Sequence, residues 1–151
     1  MEYSIYVKPH LKKFLPRYFN TPEPIKIDST NVHGKVFTAV SVVQQDTLKL
    51  DFTEDGYSKK ISFFLSNDLK RIKPKKRDMV KINVYFNKLF MEIMFQWALS
   101  ALHQGNTASD GLRAFMTYYR IDEDDYPWLS AHRAWMRYVK REHEKKCTMA
   151  S

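Results

Sequence analysis

The sequence predicts an α+β fold: a small mixed or antiparallel sheet with helices, followed by a C-terminal three-helix subdomain. That subdomain is helix-turn-helix-like and is built on one long central helix. Three observations carry the prediction. Residues 78–104 have apolar side chains at helical spacing and contain neither Gly nor Pro. Residues 48–52 and 58–65 have the composition of strands. Two further helical patterns follow the long one, and each begins with capping signals.

The first part of the chain combines short strands with one short helix. Residues 5–7 predict a strand, and residues 10–19 predict a basic amphipathic helix that Pro16 weakens. Residues 25–27 predict another strand. Residues 34–45 are ambiguous, because their apolar spacing fits a helix face whereas their β-branched content fits a strand. We favour the helix slightly.

A β-hairpin is predicted next. Residues 48–52 alternate at period two, and residues 58–65 form a second strand-like run. Glu54-Asp55-Gly56 between them is a turn signal, which predicts that the two runs pair.

A basic connector separates the two halves of the chain. Residues 67–77 read NDLKRIKPKKR, and Pro74 prevents a continuous helix there. We therefore expect an α+β part at residues 1–66, the connector, a helical part at residues 78–146 and a disordered tail at residues 147–151. At this length they are expected to form one compact domain.

The central helix, capped by Asp78, is predicted to be a buried scaffold. Its apolar residues fall on most faces, and its polar strip consists of Lys88, Glu92, Gln96, Ser100 and His103. We expect Glu92 and His103 to be exposed on that strip or to contact a partner, and not to be buried. Polar residues also interrupt the run of about 20 apolar residues that a membrane span requires.

Two shorter helices are predicted after it. Thr107 and Asp110 have the spacing of a capping box, which begins a helix that ends near residue 119. Pro127 suits the first turn of a last helix, which ends near Lys145. The acidic residues 122–125 lack the alternating spacing and the final Glu of an EF-hand, so helix capping and solubility explain them better than a bound divalent ion.

Charge indicates the class of partner. The formal net charge is +8, which favours polyanions: nucleic acid first, an anionic membrane surface second. The single cysteine, Cys147, has no partner for an internal disulfide, and the first residues lack the pattern of a signal peptide. We therefore expect an intracellular, cytoplasmic protein, with the virion as an alternative. By compositional analogy it resembles an accessory protein of a virus or mobile element.

Three basic clusters are candidate contacts for nucleic acid. The last helix has an apolar side and a cationic side, and the cationic residues are Arg133, Arg137, Lys140 and Arg141. The connector contributes Lys70, Arg71, Lys73, Lys75, Lys76 and Arg77. A weaker third cluster consists of Lys8, Lys12, Lys13 and Arg17. The helix suits base reading, whereas the connector suits sequence-independent phosphate contact.

Catalysis has little support in the sequence. The histidines are scattered without HExxH or CxxC spacing, and no Gly-rich phosphate loop occurs. We therefore expect no enzyme activity, metal or cofactor. The leading expectation is a regulatory or architectural DNA-binding protein with no membrane partner, although RNA is not distinguished from DNA. The alternative is a protein–protein interaction or virion assembly module, in which a second chain or a homodimer covers the exposed aromatic side chains.

Overall fold

The computed structural model describes residues 2–27, 58–65 and 76–149, and these contain three strands and four helices. In chain order they are β1 (Glu2–Val7), α1 (Pro9–Tyr18), β2 (Ile25–Ile27), β3 (Lys59–Leu65), α2 (Lys76–His103), α3 (Ala108–Tyr118) and α4 (Trp128–Met149). The predicted α+β class is confirmed. Its helix-turn-helix detail is not confirmed, because residues 119–127 separate α3 from α4, more than the roughly 3–4 residues of that motif.

The chain forms two compact units, Met1–Leu89 and Phe90–Ser151, and the division falls within α2. The predicted connector at residues 67–77 lies largely outside the described residues. The predicted organisation of the chain into parts on either side of it therefore stays a prediction.

The sheet belongs to the N-terminal unit. Of the described strands, β3 lies between β1 and β2, pairing antiparallel with β1 and parallel with β2. The strands predicted at residues 5–7, 25–27 and 58–65 are confirmed. The hairpin partner at residues 48–52 and the ambiguous segment at residues 34–45 lie outside the described residues.

One face of this sheet is buried, as alternation along each strand requires. Its fully buried side chains are Ile5, Val7, Ile25, Ile27, Ile61 and Phe63. The predicted helix is confirmed as α1, which contains Pro16 and buries His10, Leu11, Phe14 and Leu15. Phe63 stacks on Phe86 of α2 with ring centroids 5.8 Å apart. His10 Nε2 forms a 2.8 Å hydrogen bond with Asn87 Oδ1, which satisfies a buried polar ring.

The long helix α2 begins two residues before the predicted Asp78. One set of its buried positions recurs at helical spacing, Ile82, Phe86, Phe90, Met94, Ala98 and Ala101, and Asn83 and Phe95 are buried beside it. All five residues of the predicted polar strip, including Glu92 and His103, are exposed. Val84 and Leu102 are also exposed, at 48% and 47%, although the helix was predicted to be covered on most of its apolar faces.

The C-terminal unit begins its first complete helix at the predicted capping box. Thr107 Oγ1 accepts a hydrogen bond from the Asp110 amide, and Asp110 Oδ2 accepts one from the Thr107 amide, both at 3.1 Å. Both orphan amides are thereby satisfied, so the prediction is confirmed. Farther along α3, Phe115 is fully buried with its ring centroid 5.2 Å from that of Phe90.

The last helix continues farther than predicted. It ends at Met149, so residues 147–149, which we predicted to be a disordered tail, extend α4. Local contacts support these turns: Thr148 Oγ1 donates to the Glu144 carbonyl at 2.8 Å, and Lys145 pairs with Glu142 at 3.3 Å. These residues offer little apolar surface to pack, and the helix continues through contacts within itself.

Candidate nucleic-acid interface

The acidic turn before α4 is used for hydrogen bonds to backbone amides. Asp122 Oδ1 accepts from the amides of Asp124 and Asp125, each at 3.1 Å. Asp125 Oδ2 accepts from the Asp122 amide at 3.1 Å, and Glu123 Oε2 accepts from the Trp128 amide at 2.9 Å. These carboxylates therefore order the turn and satisfy the first amide of α4, in agreement with the predicted capping role.

Aromatic and small side chains hold α4 in the C-terminal unit. Ala131, Ala134 and Trp135 are buried on one side of the helix. The ring of Tyr138 stacks on Phe95 of α2 with centroids 4.7 Å apart, and Trp135 lies 6.0 Å from the same ring. Because this side is packed, the orientation of the opposite side is determined.

The basic face of α4 consists of Arg133, Arg137, Lys140 and Arg141, all of which are exposed. At about 1.5 Å per residue the four side chains extend along roughly 12 Å of helix. Within the described part of the chain, no ion pair involves any of them. The structure therefore brings these four predicted residues together on one solvent-exposed surface.

Two aromatic side chains near the start of α4 are influenced by cations. The Arg113 guanidinium of α3 lies 5.0 Å from the centroid of the Trp128 ring, a cation–π geometry. Burial raises the pKa of the Tyr126 hydroxyl, and the positive charge of Arg137 opposes that increase. The hydroxyl donates to Met91 Sδ at 3.6 Å, which joins the half-buried Tyr126 to α2.

The solvent side of α4 also carries apolar side chains, which were not among the predicted contact residues. Leu129 is 54% exposed and Met136 is 53% exposed. Helical spacing places Leu129 four residues before Arg133, and this could have been seen in the sequence. The exposed surface of α4 is thus mixed, with cations and apolar side chains that include Leu129 and Met136.

The described residues do not show the other two predicted clusters joining the basic face of α4. Lys70, Arg71, Lys73 and Lys75 lie outside the described residues, and Lys76 and Arg77 occupy the first turn of α2. In the N-terminal unit, Lys12 forms an ion pair with Glu23 and donates to the Lys60 carbonyl at 2.6 Å. The remaining members of that cluster, Lys8, Lys13 and Arg17, lie on or beside α1.

Among the described residues, no group of three or more His, Cys, Asp or Glu side chains has an arrangement that could hold a metal ion. None of the described helices is long and apolar enough to cross a membrane. Comparisons of the chain with protein-family models, curated proteins and solved structures found no match.

Proposed function

We propose that this protein is a non-catalytic nucleic-acid-binding protein that contacts DNA through the basic face of α4. The observation that carries the proposal is the arrangement of that helix. Four exposed cations share one side, and Trp135 and Tyr138 hold the other side against the unit.

The physical basis is the repulsion among these cations. Like charges one helical turn apart destabilise a helix by a few tenths of a kcal/mol per pair, about 0.2–0.5. Phosphate groups remove that repulsion, and release of their condensed counterions favours binding. The net charge of +8 adds a long-range attraction to the same partner.

Titration of random-sequence duplex DNA at two salt concentrations tests the proposal. We expect measurable binding at low salt that weakens steeply as salt rises. Replacing the four residues of the basic face by Gln should reduce the salt slope by about one for each phosphate that the variant no longer neutralises. No binding at low ionic strength would contradict the proposal.

A matched control removes the same number of charges elsewhere. Lys59, Lys88, Arg120 and Lys146 are exposed and lie outside the basic face, so their replacement by Gln also lowers the net charge by four. If binding depends on α4 itself, the control should retain most of the affinity. Equal decreases in the two variants would assign binding to total charge and not to this face.

Sequence reading by α4 requires a different comparison. A good contact between Arg and guanine discriminates by about 1–3 kcal/mol, whereas phosphate contacts carry no sequence information. Replacing Arg133 and Arg137 by Ala should reduce the preference for a selected site more than it reduces random binding. Replacing Lys73, Lys75 and Lys76 by Gln should weaken all sequences alike. If both variants weaken selected and scrambled sites equally, α4 contacts only phosphates.

Leu129 and Met136 favour a second candidate, a protein–protein or virion assembly module. Both apolar side chains are about half exposed on the solvent side of α4, and a partner protein would bury them. Substitution of both by Ser distinguishes the candidates. It should leave DNA affinity nearly unchanged if α4 binds phosphates, and abolish self-association or partner binding if α4 is an assembly surface.

A further inference from the structure

The sheet of the N-terminal unit has a second face, opposite its buried one, that carries exposed aromatic rings. Tyr6 of β1 is 47% exposed and Phe64 of β3 is 41% exposed. Their chain neighbours Ile5 and Phe63 are fully buried, so strand alternation directs Tyr6 and Phe64 outward. We call this surface the open face; its members are Ser4, Tyr6, Lys26, Lys60, Ser62 and Phe64.

The strand register places a lysine opposite each ring. Tyr6 is paired with Lys60 across β1 and β3, and Phe64 is paired with Lys26 across β3 and β2. Both lysines are exposed. On β1, Glu2 is the register partner of Phe64.

Small hydroxyl side chains occupy the space between the two aromatic positions. Ser4 Oγ and Ser62 Oγ lie 3.0 Å apart in a cross-strand hydrogen bond. Lys60, the register partner of Tyr6, is four residues from Phe64, which corresponds to about 13 Å along a strand. The centre of the open face therefore carries short polar side chains, and an aromatic ring and a lysine lie toward each end.

A cleft adjoins the Phe64 end of the open face. It has a volume of about 500 Å³, and Phe64, Lys26 and the Thr21-Pro-Glu-Pro segment line it. The Glu23 carboxylate in that segment pairs with Lys12 and accepts a hydrogen bond from the Ser62 amide at 3.3 Å. Its negative charge is thus compensated within the unit. Beyond this segment, the cleft is lined by the apolar ring of Phe64 and by the cation of Lys26.

We propose that the open face is a stacking platform for single-stranded nucleic acid, separate from the basic face of α4. Tyr6 and Phe64 stack on bases, and Lys60 and Lys26 contact the phosphates that follow those bases. A single strand presents flat groups and anions in alternation, which matches the alternation of rings and lysines here. In a duplex the bases are already stacked on one another, so their faces are not available to the rings. This site does not rest on DNA binding by α4.

Removal of the aromatic rings without loss of apolar volume tests the stacking. Labelled oligo-dT is titrated by fluorescence anisotropy against the full chain carrying Tyr6→Leu or Phe64→Leu. Each substitution should raise Kd by about 5- to 150-fold, the equivalent of ~1–3 kcal/mol per stacked base. Phe64→Trp, which keeps an aromatic face, should bind at least as tightly as the unchanged protein. Tyr118→Leu is the matched control, because Tyr118 is a 43% exposed aromatic residue of the other unit.

The two lysines are tested through the salt dependence of the same titration. For single strands each phosphate contact contributes a slope of about 0.7. Lys26→Gln combined with Lys60→Gln should therefore flatten the slope by about 1.4. Lys59→Gln combined with Lys88→Gln removes two exposed lysines outside the open face and should leave most of the slope intact.

Photocross-linking of the unsubstituted protein to iodouridine-containing strands provides a measurement that does not depend on the folding of variants. Adducts at Tyr6 and Phe64 support the proposal, and adducts confined to other residues overturn it. Oligo-dT affinity that is unchanged in both Leu variants also overturns it and leaves the open face to a protein partner. Failure of the α4 proposal is distinguishable, because it appears as unchanged duplex binding in the four-residue Gln variant of the basic face.

Discussion

At Gly111 the backbone of α3 lies directly against α2. Substitution of this glycine therefore tests the packing of the C-terminal unit. A Cβ added there would lie 2.5 Å from the Trp97 carbonyl oxygen, 2.7 Å from Ala98 Cα and 2.9 Å from Ala101 Cβ. Two of these atoms belong to the backbone of α2. No rotamer change can relieve such contacts, so Gly111→Ala requires α3 to move away from α2.

The size of the effect follows from two opposed terms. In a helix without such contacts, Gly→Ala is stabilising by about 1 kcal/mol. Overpacking of a well-packed core costs typically about 1–3 kcal/mol. We take the upper end, because backbone atoms must shift, and expect Gly111→Ala to lower the free energy of unfolding by about 2 kcal/mol.

Urea denaturation followed by tryptophan fluorescence is the appropriate assay. All three tryptophans, Trp97, Trp128 and Trp135, lie in the C-terminal unit, so their emission reports on that unit. The control is Ala114→Gly at an exposed position of the same helix, which should cost about 1 kcal/mol through helix propensity alone. If Gly111→Ala leaves stability unchanged or increases it, α2 and α3 are not in close contact at this position.

Two further substitutions test the core and the cap of the same unit. Trp97 is half-buried with its ring centroid 5.2 Å from that of Tyr118, so Trp97→Ala should cost about 3 kcal/mol, the lower end of the range for large aromatic truncations. Circular dichroism during urea denaturation measures this, and a decrease below about 1 kcal/mol would show that the Trp97 side chain contributes little to the core. The backbone amide of Thr107, helped by its hydroxyl, lowers the pKa of Asp110 below its ordinary value of 3.8. A carboxylate whose pKa is lower in the folded than in the unfolded protein stabilises the fold when the pH is above its unfolded-state pKa. That stabilisation is lost as the pH falls through the folded-state pKa. Asp110→Asn should therefore reduce stability at neutral pH and weaken its dependence on acid pH; identical pH profiles for the two proteins would refute the role of the cap.

If both proposals hold, the two units make different kinds of contact with nucleic acid. The basic face of α4 presents cations on a rigid helix, which suits the phosphates of a duplex. The open face presents rings and lysines on a sheet, which suits separated bases. Binding to duplex and to single strands should then respond to different substitutions, and each response is measurable in the presence of the other site.

Local features of this protein were predictable from the sequence because each depends on residues close in the chain. The helical spacing around Phe90, Met94 and Ala98 identified α2, and the pair Thr107 and Asp110 identified the start of α3. The same holds for the cationic side of α4, since residues four apart on a helix share a face whatever the helix packs against. The end of α4 differs from the prediction because helical hydrogen bonds and side-chain contacts within α4 suffice to extend it without apolar packing.

Features that join distant parts of the chain were decided only by the tertiary structure. Ser4 meets Ser62 across 58 residues, and Phe64 meets Lys26 through a parallel register that no local pattern specifies. From the sequence alone, Gly111 is a residue that destabilises a helix. In the fold, its missing side chain allows α3 to approach α2. Sequence periodicity determines which side of a helix or strand is apolar. Which other element packs against that side depends on the complementarity of the surfaces in the folded protein.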